Sequence, residues 1–283
     1  MVTLEDYKGQ TPAWCPGCGN YSILNAFKEA LMELDIEPHQ FTIVSGIGQA
    51  GKFPHYLRCN TFNGLHGRTL PVATGIRLSN HGMLVIAVAG DGDCYGEGGN
   101  HLIHAMRRNI NVKLFVHDNQ IYGLTKGQAS PTSMEGMVTK AQPSGAFPEQ
   151  LNPIALAVAL DCSFVARGFA GDIEHLKRLI KEAINHKGFS LVDIFQPCVT
   201  FNKINTYEWY RQRVYHIEPE YNPEDKIEAF KRALEWGDRI PAGVIYRNHR
   251  PIFEEKIPAI KKSVLIKQSF DNSKIDSTLK EFY

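Results

Sequence analysis

Two short motifs carry the side chains whose types and spacing have the most chemical meaning. Asp91 stands between glycines in the turn at 90–93, and Asn119 follows it by 28 residues. Each motif ends an apolar run that predicts a strand, and the segment between the runs predicts a crossover helix. Because parallel strands end at the same edge of a sheet, Asp91 and Asn119 should lie close together there. Hard oxygen ligands beside glycine amides predict a site for Mg²⁺ and a diphosphate.

The alternative explanation is an ordinary strand-to-helix turn in which Asp91 only caps the helix. A Gly-Asp-Gly turn by itself would favour that explanation. The second strand-like run, at 112–116, leads into Asp118 and Asn119, just as the first run, at 83–89, leads into the turn that holds Asp91. This pairing favours the metal-binding interpretation.

The cysteines suggest a second centre. Cys15 and Cys18 stand in the Pro/Gly-rich turn at 14–19, where two thiolates can reach one metal ion or cluster. A thioredoxin-like redox pair would follow a strand, and only thirteen residues precede Trp14. We therefore favour metal or cluster binding for this pair. Cys198 follows a predicted strand, and by itself it is better explained as a buried apolar thiol.

The composition excludes several classes of protein. With 43% hydrophobic and 22% charged residues, the chain is typical of a soluble globular protein. A net charge of +1 gives no electrostatic case for nucleic acid or an acidic membrane as a partner. The first residues lack the pattern of a secretion signal, and no apolar run approaches the roughly 20 residues that span a bilayer. We expect a cytoplasmic protein whose cysteines are thiols or metal ligands.

The hydrophobic pattern predicts an α/β fold. Helices are expected at 22–34, 70–79, 98–106, 154–162 and 173–184, and strands at 41–47, 83–89, 112–116, 164–167 and 189–195. Strands that alternate with helices predict a doubly wound, mainly parallel sheet, of which 189–195 is the last core strand.

The chain resembles the β subunit of the two-subunit 2-oxoacid:ferredoxin oxidoreductases, which include the 2-oxoglutarate and pyruvate enzymes. Proteins of this family bind thiamine diphosphate and a [4Fe-4S] cluster. The resemblance covers about residues 12–200, and the segments that carry it are 15–19, 45–48, 65–75, 90–93, 98–101 and 118–128. It implies a sheet of the thiamine-diphosphate-binding type, with Asp91, Asn119 and the carbonyl of Ile121 as Mg²⁺ ligands.

The resemblance also implies which residues contact the cofactor. They are Ile47, Gly48, Gln49, His66, Gly90, Gly92, Asp93, Tyr122, Gly123, Leu124 and Thr125. His66 is either a hydrogen-bond donor in the reaction or a structural histidine. Lys52 could pair with a second carboxylate of the substrate, or it is a solvated surface lysine. Leu124 stands where pyruvate-specific relatives tend to carry a polar residue. These three are the candidate catalytic residues, and Lys52 and Leu124 favour 2-oxoglutarate or a broad substrate range.

The cluster ligands depart from the family pattern at one position. In that pattern a cysteine follows the Ser-Gly-Ile-Gly motif, and here the position holds Gln49. A cubane needs one ligand per iron, and an amide is a poor substitute for a thiolate. Cys59 is the nearest replacement, so the expected set is Cys15, Cys18, Cys59 and Cys198. Otherwise the cluster has three ligands, is labile or is absent.

The family activity is the coenzyme A-dependent oxidative decarboxylation of a 2-oxoacid, or the reverse carboxylation, with electrons passed to ferredoxin. We expect residues 1–202 to form the cofactor-binding domain with its N-terminal cluster segment. Residues 203–283, with one helix at 223–236, would be an extension that docks on a subunit or on ferredoxin. An α subunit should supply the pyrimidine-binding domain of the cofactor site.

Two alternatives stay open. A non-redox thiamine diphosphate-dependent 2-oxoacid decarboxylase subunit would keep the cofactor site and hold a structural zinc at Cys15 and Cys18. Gln49 is the main reason to consider it. A zinc-ribbon module for nucleic acid would need a second Cys-x-x-Cys pair and a basic face, and the sequence has neither.

Overall fold

One mixed sheet organises the chain in the computed structural model, which describes residues 1–269 and 273–282. Within these residues the sheet has eight strands. They are β1 (Phe41–Ser45), β2 (Asn60–Asn63), β3 (Leu84–Gly90), β4 (Lys113–Asp118), β5 (Phe164–Phe169), β6 (Ser190–Phe195), β7 (Val214–His216) and β8 (Ile240–Arg247). Their order across the sheet is β2-β1-β3-β4-β6-β5-β8-β7.

Six neighbouring strands, from β2 to β5, run parallel, whereas β8 pairs antiparallel with β5. The register aligns Ser45 with Val88 and Gly90 with His117. The carboxyl ends of β1, β3 and β4 therefore lie side by side at one edge, which is where open parallel sheets bind ligands.

The helices cover both faces of the sheet. Along each strand, successive side chains point to opposite faces, so that Ile86 and Val88 contribute to one apolar cluster and Val85 and Ala87 to the other. The helices are α1 (Gly19–Glu33), α2 (Thr69–Ser79), α3 (Gly99–Arg108), α4 (Pro153–Ala159), α5 (Ile173–Asn185), α6 (Tyr207–Arg211), α7 (Lys226–Ala233), α8 (Pro258–Lys261) and α9 (Ser273–Leu279). The cluster that contains Ile86 also contains side chains of α1 and α5, and the cluster that contains Val85 also contains those of α2, α3, α4 and α7. The doubly wound α/β fold is thus confirmed.

The prediction that the core ends with the strand at 189–195 is wrong. Strand β8 is largely buried and pairs with β5, and β7 pairs with β8. Both strands lie in the segment 203–283, so this part of the expected extension belongs to the sheet. Pro241 and Gly243 weaken the strand signal of β8, because both residues are rare inside central strands. The docking role expected for 203–283 stays a prediction, and residues 270–272 and 283 lie outside the described part.

No helix in the described residues is both long and apolar enough to cross a membrane.

Candidate active site

A cleft that is open to solvent at its mouth lies at the carboxyl ends of β1, β3 and β4. The structure brings together there the residues expected to bind Mg²⁺ and the cofactor. Its wall consists of Ile47, Gly48, Gln49, Ala50, His66, Gly90, Asp91, Gly92, Asp93, Asn119, Ile121, Tyr122, Gly123, Leu124 and Thr125. Lys52 is half-buried in the short 3-10 helix Ala50–Tyr56 and is not part of this wall.

Asp91 is a buried carboxylate without a cation. Its side chain is 2% exposed, and no described residue forms an ion pair with it. Its Oδ2 atom accepts hydrogen bonds from the hydroxyls of Ser130 at 2.5 Å and Thr132 at 2.8 Å. Burial raises the pKa of Asp91, although these two hydrogen bonds oppose the shift. Buried carboxylates are normally paired or bound to metal ions, so this donor fits a divalent cation.

Asp118 is a second carboxylate of this kind. Its Oδ1 atom lies 2.8 Å from the hydroxyl of Thr132, which also bonds Asp91. A hydroxyl has one proton to donate, so Thr132 cannot serve both carboxylates fully at once. Burial raises the pKa of Asp118 well above its usual range, and the neighbouring Asp193 and Asp91 add to this shift. The end of the sheet therefore holds several acidic groups whose charged forms a bound cation would stabilise, with Arg167 as the cationic side chain near Asp118 and Asp193.

The turn after β4 orients Asn119 toward the cleft. Its Oδ1 atom accepts a hydrogen bond from the amide of Ile121 at 3.0 Å, and its Nδ2 donates to Gln196 Oε1 at 3.2 Å. Asn202 Nδ2 donates to the backbone oxygen of Asn119 at 3.1 Å. Gln120 adopts a left-handed conformation with φ 57°, which places Ile121 beside Asn119. The amide oxygen keeps a second lone pair for a metal ion.

The side chain of Asp93 ties together the loops around the cleft. Its Oδ1 accepts from the amide of Gly67 at 2.7 Å, and its Oδ2 accepts from the hydroxyl of Thr69 at 3.2 Å. A Cβ atom on Gly46 would lie 2.0 Å from this carboxylate, so only glycine fits there. His66 Nδ1 lies 3.3 Å from Asp93 Oδ1, which orients the ring beside the cleft. Because the carboxylate is engaged in this way, only the backbone of Asp93 remains to bind a phosphate.

Tyr122 covers the turn that follows β3. A Cβ atom on Gly92 would lie 2.2 Å from the Tyr122 ring, and the Tyr122 hydroxyl donates to the Gly92 carbonyl at 3.3 Å. The second glycine of the Gly-Asp-Gly turn is thus required by this close approach.

Three of the four candidate cluster cysteines line one pocket beside the cleft. Cys15, Cys18 and Cys198 share this pocket with Gln49, and the wall that it shares with the cofactor cleft includes Asn119 and Gly123. Burial raises the pKa of Cys18 to about 11, and the neighbouring thiols act in the same direction. Cys18 is therefore a neutral thiol unless a metal or cluster stabilises its thiolate.

The structure does not bring Cys59 to this pocket. Cys59 directly precedes β2, whose residue Asn60 pairs with Thr42 near the start of β1. It therefore lies at the N-terminal ends of these strands, whereas Gln49 follows their carboxyl ends. The expectation that Cys59 replaces the missing ligand fails for this reason, and we leave it out of the candidate set.

Ser130, Thr132 and the structural role of the Asp93 carboxylate were not found from the sequence. Ser130 and Thr132 lie in the irregular segment between β4 and α4, where no periodicity or spacing rule links them to Asp91. The polar run at 130–133 in a Gly/Pro-rich segment was the only local signal.

Comparisons with known proteins agree with this geometry. Residues 43–194 match the family model of the thiamine pyrophosphate enzyme C-terminal TPP-binding domain. Residues 198–262 match the model of the C-terminal region of the β chain of pyruvate ferredoxin oxidoreductase. A 2-oxoacid:ferredoxin oxidoreductase β subunit from a Sulfolobus species is 49% identical over 260 residues, which are 87% of this chain and 85% of that relative. The chain belongs to the family of 2-oxoacid:ferredoxin oxidoreductase β subunits.

Further relatives place this β subunit in the same family over nearly its whole length. Subunit β of 2-oxoacid:ferredoxin oxidoreductase 2 from Aeropyrum pernix is 44% identical and covers 90% of this chain and 87% of that relative. A solved structure from Magnetococcus marinus is a 2-oxoglutarate:ferredoxin oxidoreductase with 2-oxoglutarate, coenzyme A and succinyl-CoA bound. It superposes with a TM-score of 0.92 and 36% identity, covering 98% of this β subunit and 96% of that chain. The assignment as an oxidoreductase subunit therefore rests on both sequence and fold.

Proposed function

We propose that this β subunit holds Mg²⁺ and thiamine diphosphate in the cleft and catalyses the coenzyme A-dependent oxidative decarboxylation of a 2-oxoacid, or the reverse carboxylation. The observation that carries the proposal is the buried, cation-free carboxylate of Asp91 beside Asn119. Bound thiamine diphosphate would supply the electron sink for decarboxylation. Asp91, Asn119 and the carbonyl of Ile121 would hold the metal, and the amides of Gly92 and Asp93 would bind phosphate oxygens.

The cleft is completed by a second subunit in this proposal. Leu124 at its wall is 43% exposed, and Val138 and Phe147 in the same loop region are 68% and 79% exposed. Large apolar side chains this exposed mark an interaction surface when they cluster. An α subunit that covers them would exclude water from the cofactor and supply the pyrimidine-binding half of the site.

Electrons would leave through an iron–sulfur cluster at Cys15, Cys18 and Cys198. The donor set fits only in part, because three thiols and the Gln49 amide face the pocket where a [4Fe-4S] cluster needs four ligands. The shared wall at Asn119 and Gly123 places this pocket next to the cofactor cleft. We therefore propose a cluster with three thiolate ligands that passes electrons to ferredoxin.

The cluster proposal is tested by metal and sulfide analysis of the anaerobically purified complex, together with Gln49→Cys and Cys59→Ser variants. We expect iron and sulfide in the wild type, a cluster more resistant to air in Gln49→Cys, and no change in Cys59→Ser. Zinc without sulfide would contradict the proposal and would assign Cys15 and Cys18 to a structural zinc. Loss of iron in Cys59→Ser would restore Cys59 as a ligand.

For the substrate we propose 2-oxoglutarate or a broad range of 2-oxoacids over pyruvate alone. Lys52 lies just beyond Gln49, and no described residue pairs with its ammonium group, so a second substrate carboxylate could reach it if the lysine extends toward the cleft. Leu124 gives the cleft an apolar wall. Unchanged relative rates on 2-oxoglutarate and pyruvate in Lys52→Ile would contradict this role of Lys52.

The overall reaction is tested by measuring the rates of the co-purified complex on four 2-oxoacids, with ferredoxin as the electron acceptor. We expect ferredoxin reduction that requires both a 2-oxoacid and coenzyme A. Release of CO₂ and aldehyde without ferredoxin reduction would instead support the non-redox decarboxylase. Ferredoxin docking on residues 203–283 and a cytoplasmic location stay predictions.

A further inference from the structure

A group of metal-ligating side chains lies outside the active site, where α5 begins and β7 ends. Asp172, His175 and His216 each offer a ligand atom, and these atoms lie within 4.8 Å of one another. No other group of three such residues is this close in the described part of the chain. The group follows β5, which lies three strands away from β3, the strand that Asp91 follows. At about 4.8 Å per strand, this is roughly 14 Å along the sheet, so the group is separate from the Mg²⁺ site.

His175 is the residue that points to a ligand. It is 8% exposed, and both of its ring nitrogens are buried without a hydrogen-bond partner. Buried polar atoms are nearly always hydrogen-bonded, so two such atoms on one ring require an explanation. Burial lowers the pKa of His175 to about 4, so the ring is neutral near pH 7 and keeps a lone pair for a metal ion.

Asp172 and His216 supply the other donors. Asp172 is the N-cap of α5, and its Oδ1 accepts from the amide of His175 at 3.2 Å. Its Oδ2 lies 2.8 Å from Nε2 of His216, whose side chain is 57% exposed. The two imidazole rings are stacked with centroids 4.1 Å apart and planes 14° apart. Binding of an ion would replace the hydrogen bond between Asp172 and His216, with the imidazole proton of His216 on Nδ1, and would tilt the exposed His216 ring out of the stack.

We propose that Asp172, His175 and His216 form a binding site for one zinc-class divalent ion. Two imidazole nitrogens and one carboxylate oxygen suit Zn²⁺ and its transition-metal neighbours, whereas Mg²⁺ and Ca²⁺ prefer oxygen ligands only. Water would complete the coordination, because the residues border an open groove. Arg211 and Glu174, which carry opposite charges, also border this groove. The ion would link helix α5, which packs on the parallel strands, to the strands β8 and β7 at one edge of the sheet.

The test measures zinc binding to the assembled complex. All proteins compared carry Cys15→Ser/Cys18→Ser, so that the thiol pocket does not take up zinc, and His216→Asn and His175→Gln are each added to this background. His39→Asn is the matched control, because His39 lies 3.1 Å from Glu37 in an exposed histidine–carboxylate pair without a third ligand. The readouts are zinc per β subunit after dialysis and the shift in melting temperature on zinc addition.

We expect one zinc per β subunit in the background and in His39→Asn. His175→Gln and His216→Asn should each weaken the affinity for zinc more than about tenfold. Zinc should raise the melting temperature of the background and not that of His216→Asn. Equal zinc content and equal melting shifts in all proteins would overturn the proposal and leave the group as a helix cap with a stacked histidine pair. Neither readout depends on thiamine diphosphate, so this result is independent of the proposed function.

Discussion

Buried charged side chains lie at both ends of the central strands. Among the described residues, the buried charges Arg77, Glu254 and Lys113 at the N-terminal ends have partners within the chain, whereas Asp91 and Asp118 at the carboxyl ends lack an ion-pair partner. At the N-terminal ends, Arg77 Nε donates to Glu254 Oε1 at 2.5 Å. Lys113 Nζ donates to Asn111 Oδ1 at 2.6 Å, to the Gly188 carbonyl at 3.0 Å and to the His186 carbonyl. Each of the three ammonium donors of Lys113 thus has an acceptor.

At the carboxyl ends, several buried polar and charged groups lack partners among the described residues. Asp91 and Asp118 are buried without an ion-pair partner among the described residues. Both atoms of the Gln120 amide and two nitrogens of the buried Arg167 guanidinium lack hydrogen-bond partners. A few unpaired atoms also occur near the other end, as at Arg250 Nε, but Arg250 Nη2 donates to the Met106 carbonyl at 2.9 Å. The comparison indicates that one end of the sheet stabilises the fold, whereas the unpaired groups at the other end lie where we propose that a cofactor, a metal ion and a partner subunit bind.

The largest effect is expected from Asp91→Asn. Loss of the carboxylate should lower kcat/KM of the complex more than about a hundredfold, since even outer partners of metal ligands cost roughly 10- to 100-fold. The metal-free protein should be as stable as the wild type or more so, because the change removes a buried unpaired charge. Activity assays and denaturation of metal-free protein check both parts. Asp238→Asn, at an exposed position, is the control. An Asp91→Asn protein that kept its activity but lost stability would contradict the proposed difference between the two ends of the sheet.

At the opposite end, Arg77→Met should have the complementary effect. It leaves the Glu254 carboxylate buried without its partner, which costs about 3–5 kcal/mol of the free energy of unfolding. Denaturant unfolding measures this loss, and thiamine diphosphate binding by the folded fraction should be unchanged. The double variant Arg77→Met/Glu254→Leu should recover part of the stability. A weak effect on stability together with a loss of cofactor binding would break the distinction between the two ends.

A smaller effect is expected from Thr132→Val, which removes the hydroxyl between Asp91 and Asp118. We expect the Mg²⁺-dependent affinity for thiamine diphosphate to fall about 10- to 100-fold, with little change in stability. Thr132→Ser keeps the hydroxyl and should restore most of the affinity. Equal binding by Thr132→Val and the wild type would show that this hydroxyl does not orient Asp91.

The smallest effect concerns pH and the N-terminal end of the sheet. Burial lowers the pKa of His186 from 6.5 to about 4, and its Nε2 lies 3.0 Å from the Ser163 hydroxyl. Between these values the unfolded chain binds more protons than the folded chain, so the free energy of unfolding falls as the pH drops from 6.5 toward 4. Denaturation over this range should show a shallower fall in His186→Asn, and exposed His39→Asn should match the wild type. Identical slopes in all three would contradict this assignment.

The sequence predicted the parts of the site that directly follow apolar strands. Asp91 and Asn119 directly follow β3 and β4, so their positions follow from two strand predictions and the rule that parallel strands end at one edge. Ser130 and Thr132 could not be placed in this way, because their loop returns to Asp91 without any regular element. Such contacts depend on tertiary packing, which a pattern along the chain does not contain.

Two errors had a common cause in strands with weak signals. Strand β2 is Asn-Thr-Phe-Asn, its four residues are exposed, and it has no apolar alternation. Because this strand was not predicted, Cys59 was wrongly expected to reach the neighbourhood of Gln49. Strand β8 contains Pro241 and Gly243, which weaken the sequence signal of this buried strand. In both cases strand pairing decided the structure where local propensity did not.

The central claim is that Asp91 and Asn119 hold a divalent ion that binds a diphosphate. It is tested most directly by loading the complex with thiamine diphosphate and Mn²⁺ in place of Mg²⁺, since both ions suit oxygen ligands. Electron–nuclear double resonance then measures the coupling of the manganese electron spin to phosphorus. We predict a ³¹P coupling from directly bound phosphate oxygens in the wild type and its loss in Asp91→Asn. Bound Mn²⁺ without phosphorus coupling, or the same coupling in Asp91→Asn, would contradict the account.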